Sequence, residues 1–154
     1  MTYLQRHSRT TRMIIISADG TQTVSNGDTI LFPNKQTTGG DSVSVSSGVI
    51  SLSSTKSYFL QCAVSVERPS TSSDVITTWY NSSTNTALDK SDGAFKSQYN
   101  PSGTSSSTRR NGTLISVMYV SNPAFDIKLV ISGLSGGTTT IKETMNILIT
   151  EVET

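Results

Sequence analysis

In Ser57-Tyr58-Phe59-Leu60-Gln61-Cys62-Ala63-Val64-Ser65-Val66-Glu67, the residues Tyr58, Leu60, Cys62, Val64 and Val66 recur at every second position. That is the period of a β-strand, in which alternate side chains share one face. The opposite face holds Phe59 and Ala63, so both faces of this strand are expected to be dry. Thr113 to Val120 repeats the pattern, with Leu114, Met118 and Val120 on one side and Ile115, Val117 and Tyr119 on the other. A two-layer sandwich offers each sheet one interior face, so a second apolar face predicts a contact between subunits.

Working outward, further period-two runs predict strands at Met13 to Ser17, Asp28 to Phe32, Ser42 to Ser46, Val49 to Leu52, Val75 to Asn81, Phe125 to Ile131 and Thr140 to Val152. Turn-forming clusters separate them, among them Ala18-Asp19-Gly20, Ser25-Asn26-Gly27, Thr38-Gly39-Gly40, Ser121-Asn122-Pro123 and Ser135-Gly136-Gly137. No window sustains the three-and-four spacing of an amphipathic helix. Phe125 to Ile131 sets Phe125, Ile127, Leu129 and Ile131 against Asp126 and Lys128, as a strand with one solvated face requires. Asp89 to Asn111 has no clear alternation and predicts a long functional loop, with Phe95, Tyr99, Arg109 and Arg110 as its candidate contact residues.

Composition agrees. The 154 residues suit one core and one domain. Ser and Thr supply roughly a third of the chain while only 15% of it is charged, which favours half-solvated strands over a disordered polyelectrolyte. A formal charge of +1 gives no global field for nucleic acid or an anionic membrane, and neither is expected as a partner. Cys62 is the single cysteine, so the fold is expected to stand without an internal disulfide or a cysteine metal cluster. The first twelve residues lack the apolar stretch of a secretory signal, and no run is long enough to span a bilayer. The expected organisation is a basic arm over residues 1–12 and one domain over residues 13–154, made in a cytosol.

The run from Asp41 to Glu67 pairs a Gly48-led short strand with Lys56-Ser57-Tyr58 opening a long alternating one. In this it resembles the tumour necrosis factor-like superfamily, especially the globular head of complement component one q. Gly48, Ile50, Leu52, Tyr58 and Leu60 stand at the matching positions. Phe125 to Ile131 followed by Gly136-Gly137 and Met145 to Val152 is similar to the last two strands of that family. The resemblance implies an all-β jelly-roll sandwich of about ten strands that forms a homotrimer, its inner sheets around a threefold axis. Phe59, Ala63, Ile115, Val117 and Tyr119 are the expected trimer interface. A jelly roll without a collagen-like stalk, rich in Ser and Thr, also resembles phage virion proteins that use this fold. The implied function is a trimeric cement, or decoration, protein of the capsid surface, with the major capsid protein as partner. The alternative is the receptor-binding tip of a tail or head fibre, with a cell-surface glycan as partner. The few residues before the first strand favour cement.

Catalysis is not expected. The one histidine, His7, lies before the first predicted strand, so neither a histidine metal cluster nor a Ser-His-Asp triad can be assembled inside the fold. The aspartates fall mainly in turns, where their own backbone hydrogen bonds account for them. No catalytic, metal or cofactor residues are therefore assigned. Arg6, His7, Arg9 and Arg12 form the candidate capsid-binding arm. Trp79-Tyr80 could offer a sugar-stacking platform, but alternation sends one of the two inward.

Overall fold

The computed structural model describes residues 12–17, 20–32, 34–37, 42–68, 75–99, 110–134, 138–141 and 146–152. Fourteen strands among these residues form two antiparallel sheets. The larger runs in the order β3 (Asn34–Thr37), β1 (Arg12–Ser17), β14 (Asn146–Val152), β6 (Ser57–Arg68), β11 (Arg110–Ser121) and β9 (Ala94–Phe95). Beyond the end of β14, β6 also pairs β13 (Thr139–Ile141), which pairs β2 (Gln22–Val24). The smaller sheet runs β10 (Ser97–Tyr99), β7 (Val75–Asn81), β12 (Ile127–Leu134), β5 (Val49–Leu52) and β4 (Val43–Ser46), with β8 (Thr86–Ala87) beside the end of β7.

The two long alternating strands predicted from sequence are neighbours, paired along their whole length from Arg110↔Arg68 to Ser121↔Ser57. Their inward residues, Tyr58, Leu60, Cys62 and Val64 on β6 and Leu114 and Met118 on β11, are buried in one core with Ile50, Trp79, Ile127, Leu129 and Ile131 of the smaller sheet. The hydroxyls of Thr77 on β7 and Ser116 on β11 meet at 2.6 Å inside it, which spares each a lone buried polar group. Thr77→Val should therefore lower stability by about 1–3 kcal/mol in a denaturant titration, because Ser116 loses its partner. Thr77→Val with Ser116→Ala should cost less than the two single changes added together. Burial pushes the Cys62 thiol up from its ordinary value, so it is held in the inert protonated form.

Three sequence expectations are corrected. Asp28 to Phe32 is not a regular strand. It lies along β12 through a single bridge, Thr29↔Val130, with Ile30 donating to the Leu129 carbonyl at 2.9 Å. Its other side is met by a side chain: Gln22 donates through Nε2 to the Leu31 carbonyl at 2.6 Å, and its Oε1 accepts from the Leu31 amide at 2.9 Å. One amide side chain thus replaces a neighbouring backbone, and no ladder forms. Thr140 to Val152 is two strands, β13 and β14, each meeting a different stretch of β6. The Asp89 to Asn111 segment is not structureless: it contains the 3-10 turn Lys90–Asp92, β9, β10 and the first residues of β11.

The β4–β5 hairpin turns on Ser47 and Gly48, at φ 50° and 79°, the two left-handed residues that a tight two-residue connection requires. A Cβ on Gly48 would stand 2.6 Å from the Ile30 carbonyl oxygen, so the hairpin and the irregular segment fit only with glycine there.

A candidate assembly surface and an adjoining cavity

The outward face of the larger sheet is built from cross-strand rows. Tyr119, Phe59, Thr150 and Met13 stand opposite one another on β11, β6, β14 and β1. The next row is Phe95, Val117, Gln61, Leu148 and Ile15, and a third is Ile115, Ala63 and Asn146. No position in these rows carries a charge. Seven large apolar side chains are exposed among the described residues, and six of them are here: Ile115 at 53%, Met13 at 50%, Phe95 at 49%, Tyr119 at 48%, Ile15 at 40% and Phe59 at 39%. The seventh, Leu31, lies apart on the irregular segment. Scattered exposed apolar residues need no explanation, but a contiguous uncharged field of them across five strands marks a contact surface.

All five residues expected at the trimer interface, Phe59, Ala63, Ile115, Val117 and Tyr119, fall on this one face. Met13, Ile15 and Leu148 share it and were not predicted, and Phe95, expected as a loop contact, shares it too. Alternation in Met13-Ile14-Ile15-Ile16 contained the signal for the first two, since Ile14 and Ile16 are fully buried while Met13 and Ile15 point out. Phe95 had no such signal because β9 is only two residues long.

Of the other candidate residues, Tyr99 lies in β10, with its backbone opposite Val75, and Arg110 opens β11, opposite Arg68. Arg12 begins β1, its backbone opposite Glu151. Arg6, His7, Arg9 and Arg109 lie outside the described residues. At one end of the sandwich the buried Glu151 accepts from Ser42 Oγ at 2.6 Å and pairs with the Lys56 ammonium. Tyr58 joins this group by donating to the Ser42 carbonyl at 3.2 Å and accepting from the Ser53 amide at 3.1 Å. These contacts hold the strand ends together and consume the acid. Among the described residues no group of three or more His, Cys, Asp or Glu could hold a metal ion, and no helix is long and apolar enough to cross a membrane.

Beside the apolar face, at the edge where β9 leaves β11, a cavity of ≈ 840 Å³ opens between the outer face of β7 and residues 87–96. Trp79 points into the core and is fully buried, while Tyr80 points the other way and lines this cavity. The wall opposite is held rigidly. Leu88 donates to the Trp79 carbonyl at 2.8 Å, and Ala94 donates to the Asp89 carbonyl at 2.9 Å. Asp89 caps the 3-10 turn by accepting from the Ser91 amide at 2.7 Å and the Ser91 hydroxyl at 2.6 Å, while Asp92 accepts from the Asp89 amide at 3.0 Å. The Ser91 hydroxyl, then the Ser91 amide, hold the Asp89 carboxyl below its ordinary value. Gly93 lies against β11, where its carbonyl accepts from the Tyr119 amide at 3.0 Å. Phe95 belongs to both regions, lining the cavity and completing a row of the apolar face.

No family model matches the sequence, and no curated protein does. Solved structures match through their fold. The Eiger tumour necrosis factor of S. frugiperda superposes with a TM-score of 0.66 at 9% identity, over 93% of this chain and 92% of that one. Murine APRIL superposes with a TM-score of 0.55 at 7% identity, over 93% of this chain and all of the other. PRD1 vertex protein P5 is 16% identical over 93% and 96% of the two chains, but at a TM-score of 0.43 the superposition is too loose to argue from. Identities this low speak to architecture alone. With its two antiparallel sheets, its long central β6–β11 pair and these structural neighbours, the chain has the jelly-roll fold of the tumour necrosis factor-like proteins.

Proposed function

We propose that the protein is a binding and assembly module, not an enzyme, that works as a homotrimer on the surface of a phage capsid, where it cements neighbouring copies of the major capsid protein. The single observation that carries the assembly part is the set of three uncharged rows on the outward face of the larger sheet, with six large apolar side chains exposed on an isolated protomer. Three copies bring these faces together around a threefold axis. If each protomer buries about 1,000 Å² of mainly apolar surface, transfer alone contributes on the order of 25 kcal/mol before association costs. Stability of that size suits a protein that resists mechanical load. The capsid role rests on the sequence: its resemblance to virion jelly rolls, its Ser- and Thr-rich composition and its basic segment with Arg6, His7 and Arg9, which ends at Arg12 where β1 begins.

The capsid role is tested on particles. Mass spectrometry of purified virions whose genome encodes the chain should recover it, and immunogold labelling should place it on the head. Removing residues 1–11, which precede β1, should release it from the head while leaving the trimer intact. Labelling confined to fibre tips would replace cement with receptor binding, and absence from purified virions would overturn both.

A further inference from the structure

We infer that the cavity between β7 and residues 87–96 is a binding site for a carboxylated sugar. Its volume, ≈ 840 Å³, lies within the range of small-ligand pockets, of about 300–1,000 Å³. The lining is mainly apolar, with Ile76 and Leu88 on the walls and the ring of Tyr80, which lies off the apolar face, available to the C–H face of a sugar ring. Leu88 is almost wholly buried and anchors the segment, and the capped turn fixes the rest, so the site exists before a ligand arrives and little ordering cost remains.

Charge decides the class of ligand. Lys90 and Lys96 both line the cavity and both are exposed. The lining contains one acid, Asp89, and its carboxylate is occupied by the Ser91 amide and hydroxyl. Asp92 nearby is likewise turned to the Asp89 amide. Among the described residues neither lysine side chain is paired with an acid, and the Tyr80 hydroxyl makes no hydrogen bond. The acids of the turn are thus spent on the turn, and two ammonium groups remain to meet an anion. A planar carboxylate on a ring with one apolar face matches this combination of unpaired cations and an aromatic wall. A neutral sugar would leave both cations to water and gain no charge-assisted contact from them.

Calorimetric titration of the full chain with an oligosaccharide containing uronic acid, and with the same oligosaccharide after its carboxyls are reduced to alcohols, tests the site. The acidic form should bind, and the reduced form should bind at least tenfold more weakly. Lys90→Ala with Lys96→Ala should weaken the acidic form by a similar factor. Both lysines are exposed, so this variant keeps the fold, and light scattering on the same sample reports whether assembly is unchanged. Tyr80→Ala should weaken both sugars. No binding of either sugar at millimolar concentration, equal binding of the two, or undiminished binding by the double variant would each overturn the inference. A trimer that fails to bind would remove this site and leave the assembly proposal standing.

Discussion

Gly93→Ala is expected to lower the free energy of unfolding by about 4 kcal/mol, at the upper end of what single substitutions do. Two causes combine. Gly93 sits at φ 76°, where a side chain costs about 1–2 kcal/mol. The added Cβ would also stand 2.0 Å from the carbonyl oxygen of Tyr119, a backbone atom of the long β11 strand that cannot rotate away. Either β11 shifts from its register with β6, or the turn over the cavity lifts and breaks the Gly93–Tyr119 hydrogen bond. For a chain of this length the cost corresponds to a fall of roughly 10 °C in Tm, measurable by circular dichroism or scanning calorimetry. Gly20 is the control: its φ is 77°, but nothing lies within 4 Å of an added Cβ, so Gly20→Ala should cost only about 1–2 kcal/mol. Equal effects at the two positions would show that Gly93 is not clamped against β11.

Ile115→Glu with Tyr119→Glu is expected to convert the proposed trimer to folded monomers. Both side chains are about half exposed on the protomer, so the charges should cost the isolated fold little. In the proposed assembly they would meet their own symmetry copies in an apolar interface. An unpaired carboxylate there costs several kcal/mol, and threefold symmetry multiplies the penalty. Sedimentation should show the mass of a single chain, with a far-ultraviolet spectrum unchanged from the parent. A trimer that survives both substitutions would mean that this face is not where the copies meet.

The strands that organise the fold were legible because their side chains repeat: Tyr58 to Val66 and Leu114 to Val120 show the period of two, and the structure pairs these strands end to end. The apolar outward face was legible for the same reason, since Phe59, Ile115 and Tyr119 had no place in a single interior. What stayed hidden depends on single side chains standing in for backbone. Gln22 completes the hydrogen bonds of Leu31 from nine residues away, which neither propensity nor alternation reveals. The cavity was hidden too, because its walls come from β7 and from a segment whose order rests on an Asp89–Ser91–Asp92 cap and a glycine contact instead of on periodicity. At Trp79-Tyr80 alternation sends one ring inward, and the structure buries Trp79 in the core while Tyr80 lines the cavity.

The central claim is that the outward face of the β1, β14, β6, β11 and β9 sheet is covered by identical chains. Sedimentation equilibrium of the native protein at micromolar concentration tests it most directly. A chain of 16.5 kDa should run as a single species of about 50 kDa, the mass of the proposed trimer. A stable, folded species of 16.5 kDa would contradict it.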